Sequence, residues 1–226
     1  RSITAEAGGD SKELRHVEEG ASIPATTVQV QSNLVRLHKR GRMLVASYEA
    51  VRYQKLDLFS VTLRQMGAHI ARTLLADGVE VLIHGDGNDN GAEADQVKST
   101  GTLTYEDLVD FWAKFDPYEM NALLVSGDVM VKLLKLTEFQ NPLTGLNFQG
   151  TGKLTTPLGA QLLRTSVLPS GTAIGLDKRF ALEMVQGSDV MVEYDKLIDR
   201  QLERAAITTI CGFAKIFQGA SRVLEV

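Results

Sequence analysis

The stretch from Thr27 to Gly78 most constrains how this chain folds. Its first part predicts a long β-hairpin whose arms, Thr27–His38 and Met43–Tyr53, are joined by a basic turn at Lys39–Arg42. Gly41 supplies the permissive backbone that a turn needs. Because an isolated two-stranded ribbon is at best marginally stable in water, we expect something outside the monomer to complete it. The hairpin therefore indicates assembly before it indicates catalysis.

A long amphipathic helix is predicted directly after the hairpin, over Leu56–Leu75. Its apolar residues recur at spacings of three or four and form one stripe: Leu56, Phe59, Leu63, Met66, Ile70 and Leu74. Gly78 stands where a C′ residue would end the helix. At roughly 1.5 Å per residue, such a helix spans roughly 30 Å, the width of a small domain.

The middle of the chain mixes predicted strands and helices. A short strand at Val79–His84 leads into a loop over 85–91, and a second helix opens at Thr104 with Asp107 as its capping-box partner. The apolar stripe of that helix is Leu108, Phe111, Trp112 and Phe115. The remaining predictions of the middle are a strand at Ala122–Val125, a helix at Asp128–Leu136 and a loop over 137–157.

The last third of the chain turns mainly to strands, which makes the expected fold class α+β. The predicted strands are Gln161–Val167, Thr172–Leu176, Ala181–Val185, Val190–Glu193 and Ile207–Phe217. A short charged helix is predicted at Leu197–Ala206, and Arg222–Val226 ends the chain in an apolar tail. Residues 1–26 are rich in Gly, Ser and Glu and predict an extended arm.

Composition excludes several classes of protein. The 226 residues are 44% hydrophobic and 23% charged, as in an ordinary globular protein, and the net charge of −4 gives no general case for a nucleic-acid binder. Cys211 is the only cysteine, which excludes an internal disulfide framework, and its apolar surroundings favour a buried small hydrophobe over a reactive thiol. No apolar run approaches the length of a membrane span. The chain begins with Arg1, which indicates either a cut gene product or a partial sequence.

The sequence shows no catalytic constellation. Its four histidines, His16, His38, His69 and His84, are scattered without metal-site spacing, and we expect no cofactor and no metal. Asp86-x-Asn88-x-Asn90-Gly91 matches the opening of a calcium-binding EF-hand loop, but Val97 occupies the position of the bidentate Glu. We favour a solvated turn, and keep a small calcium-dependent α/β enzyme as the alternative from another functional class.

Opposite charges are concentrated in two regions of the chain. Between residues 36 and 55 the bases Arg36, Lys39, Arg40, Arg42, Arg52 and Lys55 face the single acid Glu49. Between residues 86 and 119 nine acids face Lys98 and Lys114. Two explanations stay open: the basic hairpin docks on an acidic surface of a neighbour, or its charges protect exposed strand edges. Under the first, the candidate inter-subunit contacts are Arg36, Lys39, Arg40 and Arg42.

The order of arm, hairpin, long helix, mixed middle and β-rich return resembles the tailed-bacteriophage major capsid protein of the HK97 fold. Three segments carry the resemblance: Lys55–Leu75 resembles the spine helix of that family, Leu143–Gly159 followed by Thr165–Asp177 its late central loop and short strands, and Val192–Ala214 its closing segment. The resemblance covers nearly the whole chain.

This resemblance implies a domain organisation. Residues 1–26 would be the N-terminal arm and 27–54 the E-loop, a hairpin that reaches across a neighbouring subunit. Residues 55–78 and 183–226 would form the peripheral (P) domain, with the spine helix. Residues 79–182 would form the mixed α/β axial (A) domain.

The resemblance also implies a function, which is structural and not enzymatic. Pentamers and hexamers of the chain would self-assemble into an icosahedral shell enclosing packaged double-stranded DNA, without sequence-specific binding and without a membrane. Scaffold, protease and portal proteins are implied partners, and the location is the virion capsid, assembled in the host cytoplasm. An encapsulin-like nanocompartment with a protein cargo is the alternative that shares the fold.

Overall fold

The computed structural model of the chain describes residues 4–5, 16–20, 29–30, 34–53, 58–99, 101–140 and 154–226. The strands in these ranges are β1 (Thr4–Ala5), β2 (Gln29–Val30), β3 (His38–Ser47), β4 (Glu93–Gln96), β5 (Ala122–Val125), β6 (Gln161–Arg164), β7 (Thr172–Leu176), β8 (Leu182–Leu197), β9 (Leu202–Lys215) and β10 (Ser221–Glu225). The helices are α1 (Tyr48–Tyr53), α2 (Leu58–His84), α3 (Tyr105–Ala113), α4 (Gly127–Lys135) and α5 (Thr137–Gln140). None of these helices is long and apolar enough to cross a membrane.

The strands form two main sheets. A five-stranded sheet has the order β4-β10-β7-β5-β6 and mixes parallel and antiparallel pairs. A three-stranded antiparallel sheet has the order β3-β9-β8, and β1 pairs with β2 separately. In both sheets the order of the strands differs from their order in the chain. The two last strands, β9 and β10, each lie between two strands that come earlier in the sequence.

Three apolar clusters fill the interior. The largest is built around Phe111, Phe115, Leu123 and Leu133, where α3 and α4 meet the five-stranded sheet. In the second cluster, buried residues of α2 contact β5, β7 and β10. The third lies under the three-stranded sheet, where Met66 and Ile70 of α2 contact Ile207 of β9. The helix α2 therefore contributes to the core beneath both sheets.

The predicted end of the long helix is wrong. Its 27 residues run through Gly78 to His84, so the strand predicted at Val79–His84 is the last part of α2. Val79 and Leu82 are buried in the second cluster, and this burial outweighs the weak helix propensity of valine and glycine. The helix ends at His84, and the next residue, Gly85, has a φ of +84°, in the left-handed region that glycine adopts easily.

The predicted hairpin between Thr27 and Tyr53 is also wrong where the structure describes it. Lys39–Arg42 forms no turn but lies inside β3, which pairs with β9 from His38↔Cys211 to Ser47↔Leu202. Gly41 serves close packing: a Cβ there would lie 2.8 Å from the Ile207 carbonyl oxygen and 2.8 Å from Thr208 Cγ2. The chain then enters α1, and residues 31–33 and 54–57 lie outside the described residues.

The long hairpin of this chain is formed by β8 and β9. The strands predicted at Ala181–Val185 and Val190–Glu193 are parts of one 16-residue strand. The helix predicted at Leu197–Ala206 is wrong, because only Ile198–Arg200 is helical, as a single 3₁₀ turn. Gln201 follows with φ +51° and closes the hairpin before β9 begins.

Several local predictions are confirmed. The capping box of Thr104 and Asp107 opens α3, and β5, α4 and β7 lie within a residue of their predicted bounds. Trp112 departs from the predicted buried stripe of α3, because it is exposed. The predicted tail is β10, which pairs with β4 and β7, and β4 was not predicted. Residues 6–15, 21–28 and 141–153, within the predicted arm, hairpin and loop, lie outside the described residues.

Candidate functional site

The four basic residues predicted as contacts occupy one edge of the three-stranded sheet. Lys39, Arg40 and Arg42 lie on β3, and Arg36 lies in the segment that leads into it. The side chains of Arg36, Lys39 and Arg42 are exposed, and none forms an ion pair within the described part of the chain. The structure therefore places three of the four where another molecule can reach them.

Arg40 has a different role. Its Nε and Nη2 donate to the two carboxylate oxygens of Asp77 on α2, at 2.8 Å and 2.6 Å. Two parallel bonds of this kind fix both position and orientation. Arg40 therefore ties β3 to the helix of its own chain, and it is a poor candidate for a contact with a neighbour.

The acidic region over residues 86–119 is largely engaged by cations of the same chain. Lys98 pairs with Glu106 and Asp110, each at 2.9 Å. Further pairs are Lys114–Asp95, Arg222–Glu93, Arg222–Asp95 and Arg179–Glu119. A surface whose acids already have partners offers less attraction to a basic strand than its composition suggests.

The β8–β9 hairpin exposes a group of adjacent apolar side chains on β8. From Val190 to Lys196 every residue of β8 is exposed, including Val190, Met191, Val192 and Tyr194. Tyr194 is 67% exposed and Ile198, at the hairpin turn, 80%. Because adjacent side chains of a strand point to opposite faces, neither face of this part of β8 is covered. Charged and apolar residues alternate along this part of β8, which indicates a strand. The hairpin was nevertheless not predicted, because a helix was predicted at Leu197–Ala206, where the turn and the start of β9 lie.

The Asp86 loop is a closed turn. Asn90 Oδ1 accepts from the Asp86 backbone N–H at 3.1 Å, and Asn88 Nδ2 donates to Asp86 Oδ1 at 2.8 Å. Asp86 Oδ2 accepts from the Lys215 backbone N–H at 3.1 Å. In the described ranges no group of three or more His, Cys, Asp or Glu side chains is placed to hold a metal ion. These contacts favour the turn over a calcium loop.

A cleft of about 840 Å³ lies between residues 34–40, the end of α2 and β9. Cys211 lines it but is buried, and burial raises the pKa of its thiol. A protonated thiol is a poor nucleophile, so Cys211 acts as the buried small hydrophobe that the sequence predicts. Cys211 therefore does not supply the cleft with an activated thiol nucleophile.

Asp177 is fully buried and organises the region between β7 and β8. Its carboxylate accepts from Asn121 Nδ2 at 2.8 Å, from the Glu119 backbone at 3.2 Å, and from the backbone, Nε and Nη2 of Arg179 at 3.0, 3.0 and 2.8 Å. The Arg179 guanidinium holds the pKa of this carboxyl well below its usual range. A carboxylate with so many donors is a structural anchor, and it was not singled out from the sequence.

Lys215 is a second buried charge. Its Nζ donates to the Leu82 carbonyl oxygen in the last turn of α2, at 3.1 Å. Burial lowers the pKa of this amine to about 8 from its ordinary value of 10.5. The last carbonyl groups of a helix carry partial negative charge, so the position suits a cation.

The Lys215 pKa predicts a pH dependence of stability. Because the pKa is lower in the folded state, the unfolded chain binds more protons between about pH 8 and 10.5, and this group's contribution to stability rises with pH in that window. In Lys215→Met this rise is lost. We expect the unfolding free energy of wild type to gain on that of Lys215→Met from pH 8 to 10, measured by urea denaturation. The reference is Lys196→Met, which removes an exposed lysine, and wild type should show no such rise relative to it. An equal rise in the unfolding free energy of wild type relative to both variants would contradict the burial explanation.

A family model described as phage capsid protein matches residues 31–209, well over half of the chain. No curated protein matches the sequence. The chain is similar to the capsid of a native GTA particle with C5 symmetry, at a TM-score of 0.73 and 14% identity, covering 100% of this chain and 84% of that chain.

Two further solved structures share the architecture. The capsid of the cyanophage P-SCSP1u matches with a TM-score of 0.66 and 13% identity over 99% of this chain and 81% of that chain. The holo-SrpI encapsulin complex from Synechococcus elongatus matches with a TM-score of 0.60 and 12% identity over 94% of this chain and 80% of that chain. At such identities these matches establish a shared fold.

Proposed function

Because the chain belongs to the phage capsid protein family, we propose that many identical copies close into an icosahedral shell around packaged double-stranded DNA. The family match over residues 31–209 carries this proposal. That match and the shared fold confirm the predicted capsid protein of HK97-like fold. The role is structural, and the site of action is the virion capsid, assembled in the host cytoplasm.

The proposed domain organisation follows the family. Residues 1–26 form the arm, 27–54 the segment that reaches a neighbouring subunit, 55–78 and 183–226 the peripheral domain, and 79–182 the axial domain. Within residues 183–226, β10 lies in the five-stranded sheet whose other strands come from residues 79–182. The course of α2 supports a closer link between the peripheral and axial domains, because this one helix contributes to the core beneath both sheets.

The exposed hairpin supports a role in assembly. A monomer rarely leaves adjacent apolar residues such as Val190, Met191 and Val192 exposed on both faces of a strand. Arg36, Lys39 and Arg42 are the proposed contacts to neighbouring subunits, in pentamers and hexamers. Many weak contacts per chain then hold the shell together. Scaffold, protease and portal proteins are the proposed partners, and the DNA is enclosed without sequence-specific recognition.

Particle size and content test the proposal together. We expect purified chain at moderate concentration to form megadalton particles in size-exclusion chromatography with light scattering, visible as closed shells by negative-stain microscopy. Particles from infected cells should protect double-stranded DNA from nuclease. A monomer under every assembly condition would contradict the shell, whereas shells that hold a protein cargo and no DNA would favour the encapsulin alternative, which the similarity to the encapsulin complex supports.

A further inference from the structure

A small cavity lies beside the end of α3. Its volume is about 410 Å³, within the range in which proteins hold small ligands, and its walls come from the last turn of α3, the turn after it and the residues before β6. The larger apolar side chains that line it are Trp112, Met120 and Leu158, and the charged ones are Asp116 and Glu119. The cavity therefore combines an aromatic wall with acidic groups, and no base lines it among the described residues.

Trp112 is the most informative residue of this cavity. It is the only tryptophan of the chain, and it is 45% exposed although it lines a cavity. Tryptophan is highly buried on average, so an exposed one calls for an explanation. The neighbouring rings of Phe111 and Phe115 supply the buried face of this helix, and Trp112 adds little to the core. Its indole is therefore open to a ligand.

Asp116 supplies an unpaired negative charge four residues after Trp112. Its carboxylate forms no ion pair or hydrogen bond within the described part of the chain. The other acid of the cavity, Glu119, pairs with Arg179, with 2.9 Å between Glu119 Oε2 and Arg179 Nη2. Asp116 is therefore the free charged group of the cavity, and it favours a cation.

Other aromatic rings of the chain already have a cation above them. The guanidinium carbon of Arg52 lies 5.5 Å from the centre of the Tyr48 ring, and that of Arg179 lies 5.3 Å from the centre of the Phe180 ring. Trp112 has no such partner among the described residues, although an indole ring attracts cations more strongly than a phenol or phenyl ring does. The exposed indole thus lacks a partner that two weaker rings find within the chain.

We propose that this cavity binds an organic cation, a guanidinium or alkylammonium group that stacks on the Trp112 indole and forms an ion pair with Asp116. Met120 and Leu158 contact the methylene groups that carry the charge. A metal ion is a poorer fit, because no group of three or more metal-ligating side chains forms in the described ranges. A free polyamine and an arginine or lysine side chain of another protein present this same chemistry. The inference does not depend on the proposed shell.

The fluorescence of Trp112 measures binding directly, because the chain has no other tryptophan. We expect titration of the unassembled whole chain with spermidine, and separately with acetyl-arginine amide, to change the emission saturably. A Kd of about 1 mM is expected, because both contacts lie at a solvent-exposed site. Acetyl-citrulline amide has the shape of the arginine probe without its charge, and is expected to cause no saturable change.

Three variants test the two contacts. Asp116→Asn keeps the shape of the side chain, removes its charge, and is expected to raise the Kd of both cations about threefold or more. Asp199→Asn makes the same change in net charge at the exposed turn of the β8–β9 hairpin and is expected to leave both Kd values unchanged. Trp112→Leu removes the indole, and saturation-transfer NMR of the probe signals is expected to lose the transfer seen with wild type. Urea midpoints verify that the variants fold.

Each outcome bears on the cation site. Saturable binding of the cations, none of the citrulline probe and weaker binding in Asp116→Asn support it. Emission that does not saturate up to about 50 mM of either cation, equal binding of the citrulline probe, or an unchanged Kd in Asp116→Asn would overturn it. If a variant lowers the urea midpoint, the arginine and citrulline probes on wild type decide.

The two cations distinguish the source of the ligand. Tighter binding of spermidine assigns a free polyamine, tighter binding of the arginine probe assigns a side chain of another protein, and either order supports the site. Because the titration uses unassembled chain, its failure leaves the proposed shell intact, and a chain that never forms particles can still show the cation site.

Discussion

Replacing Asp177 with Ala is expected to lower the unfolding free energy by about 1–3 kcal/mol, the usual cost of leaving buried hydrogen-bond donors without their acceptor. The carboxylate is fully buried and accepts from Arg179, Asn121 and the Glu119 backbone. Its loss leaves these donors without their acceptor, whereas the Arg179 guanidinium is half exposed and keeps its ion pair with Glu119 at 2.9 Å. Urea denaturation followed by circular dichroism measures the change on unassembled chain.

The matched control is Asp199→Ala, an aspartate that also lies beside an arginine but is exposed, with Asp199 Oδ2 3.8 Å from Arg200 Nε. An exposed pair contributes at most about 1 kcal/mol. Because the Asp177 pKa is depressed in the folded state, its contribution is present above the ordinary carboxyl pKa of 3.8 and is lost progressively as pH falls below that value. The difference between wild type and Asp177→Ala should shrink in acid. Equal effects of the two substitutions at pH 7 would refute the anchor role.

Phe111→Ala is expected to cost about 3–5 kcal/mol, as large-to-small changes of buried aromatic residues do. Phe111 is 1% exposed at the centre of the largest cluster, and its ring meets that of Phe115 edge to face, with centroids 5.4 Å apart. The rings also pack on Gly175 of β7, where a Cβ would lie 2.7 Å from Phe111 Cε1, so removal of the Phe111 ring leaves a cavity next to a residue that has no side chain to fill it.

Trp112 provides the control for Phe111 because it is the next residue of the same helix. It is 45% exposed, and we expect Trp112→Ala to cost less than about 1 kcal/mol. Thermal and urea unfolding of the two variants measure the difference. A larger loss in Trp112→Ala than in Phe111→Ala would contradict the assignment of the buried face of α3.

Local signals in the sequence predicted the elements that depend on local contacts. The Thr104–Asp107 capping box is such a signal, because both hydrogen bonds lie within four residues. The apolar runs Ala122–Val125 and Thr172–Leu176 predicted central strands correctly, because strands buried on both faces are apolar throughout.

The errors arose where distant contacts decide the structure. Gly41 predicts a turn by its type, but it serves close packing against Ile207 and Thr208, which are more than 160 residues away. Val79 favours a strand locally and becomes helical through burial against the five-stranded sheet. Gln201 adopts a left-handed conformation without being glycine, so the turn of the long hairpin carries no glycine signal.

The candidate site was predictable in its charge and not in its geometry. The sequence identified Arg36, Lys39 and Arg42 as an accessible basic group, and the structure places them at a sheet edge. Whether these residues contact a neighbour stays a prediction. The partner of Arg40 could not be predicted, because Asp77 lies 37 residues further along and meets it only in the folded chain. The exposed edge of β8 required the sheet order, which no local pattern contains.

The helix α2 has a mechanical consequence. Its 27 residues, about 40 Å long, contain no proline and are clamped at one end by Ile207 and at the other by Ile174 and Val223. A continuous helix without proline resists sharp bending, so α2 is a rigid connection between the two sheets. Torque applied to one sheet is transmitted to the other instead of being absorbed by a hinge in the helix.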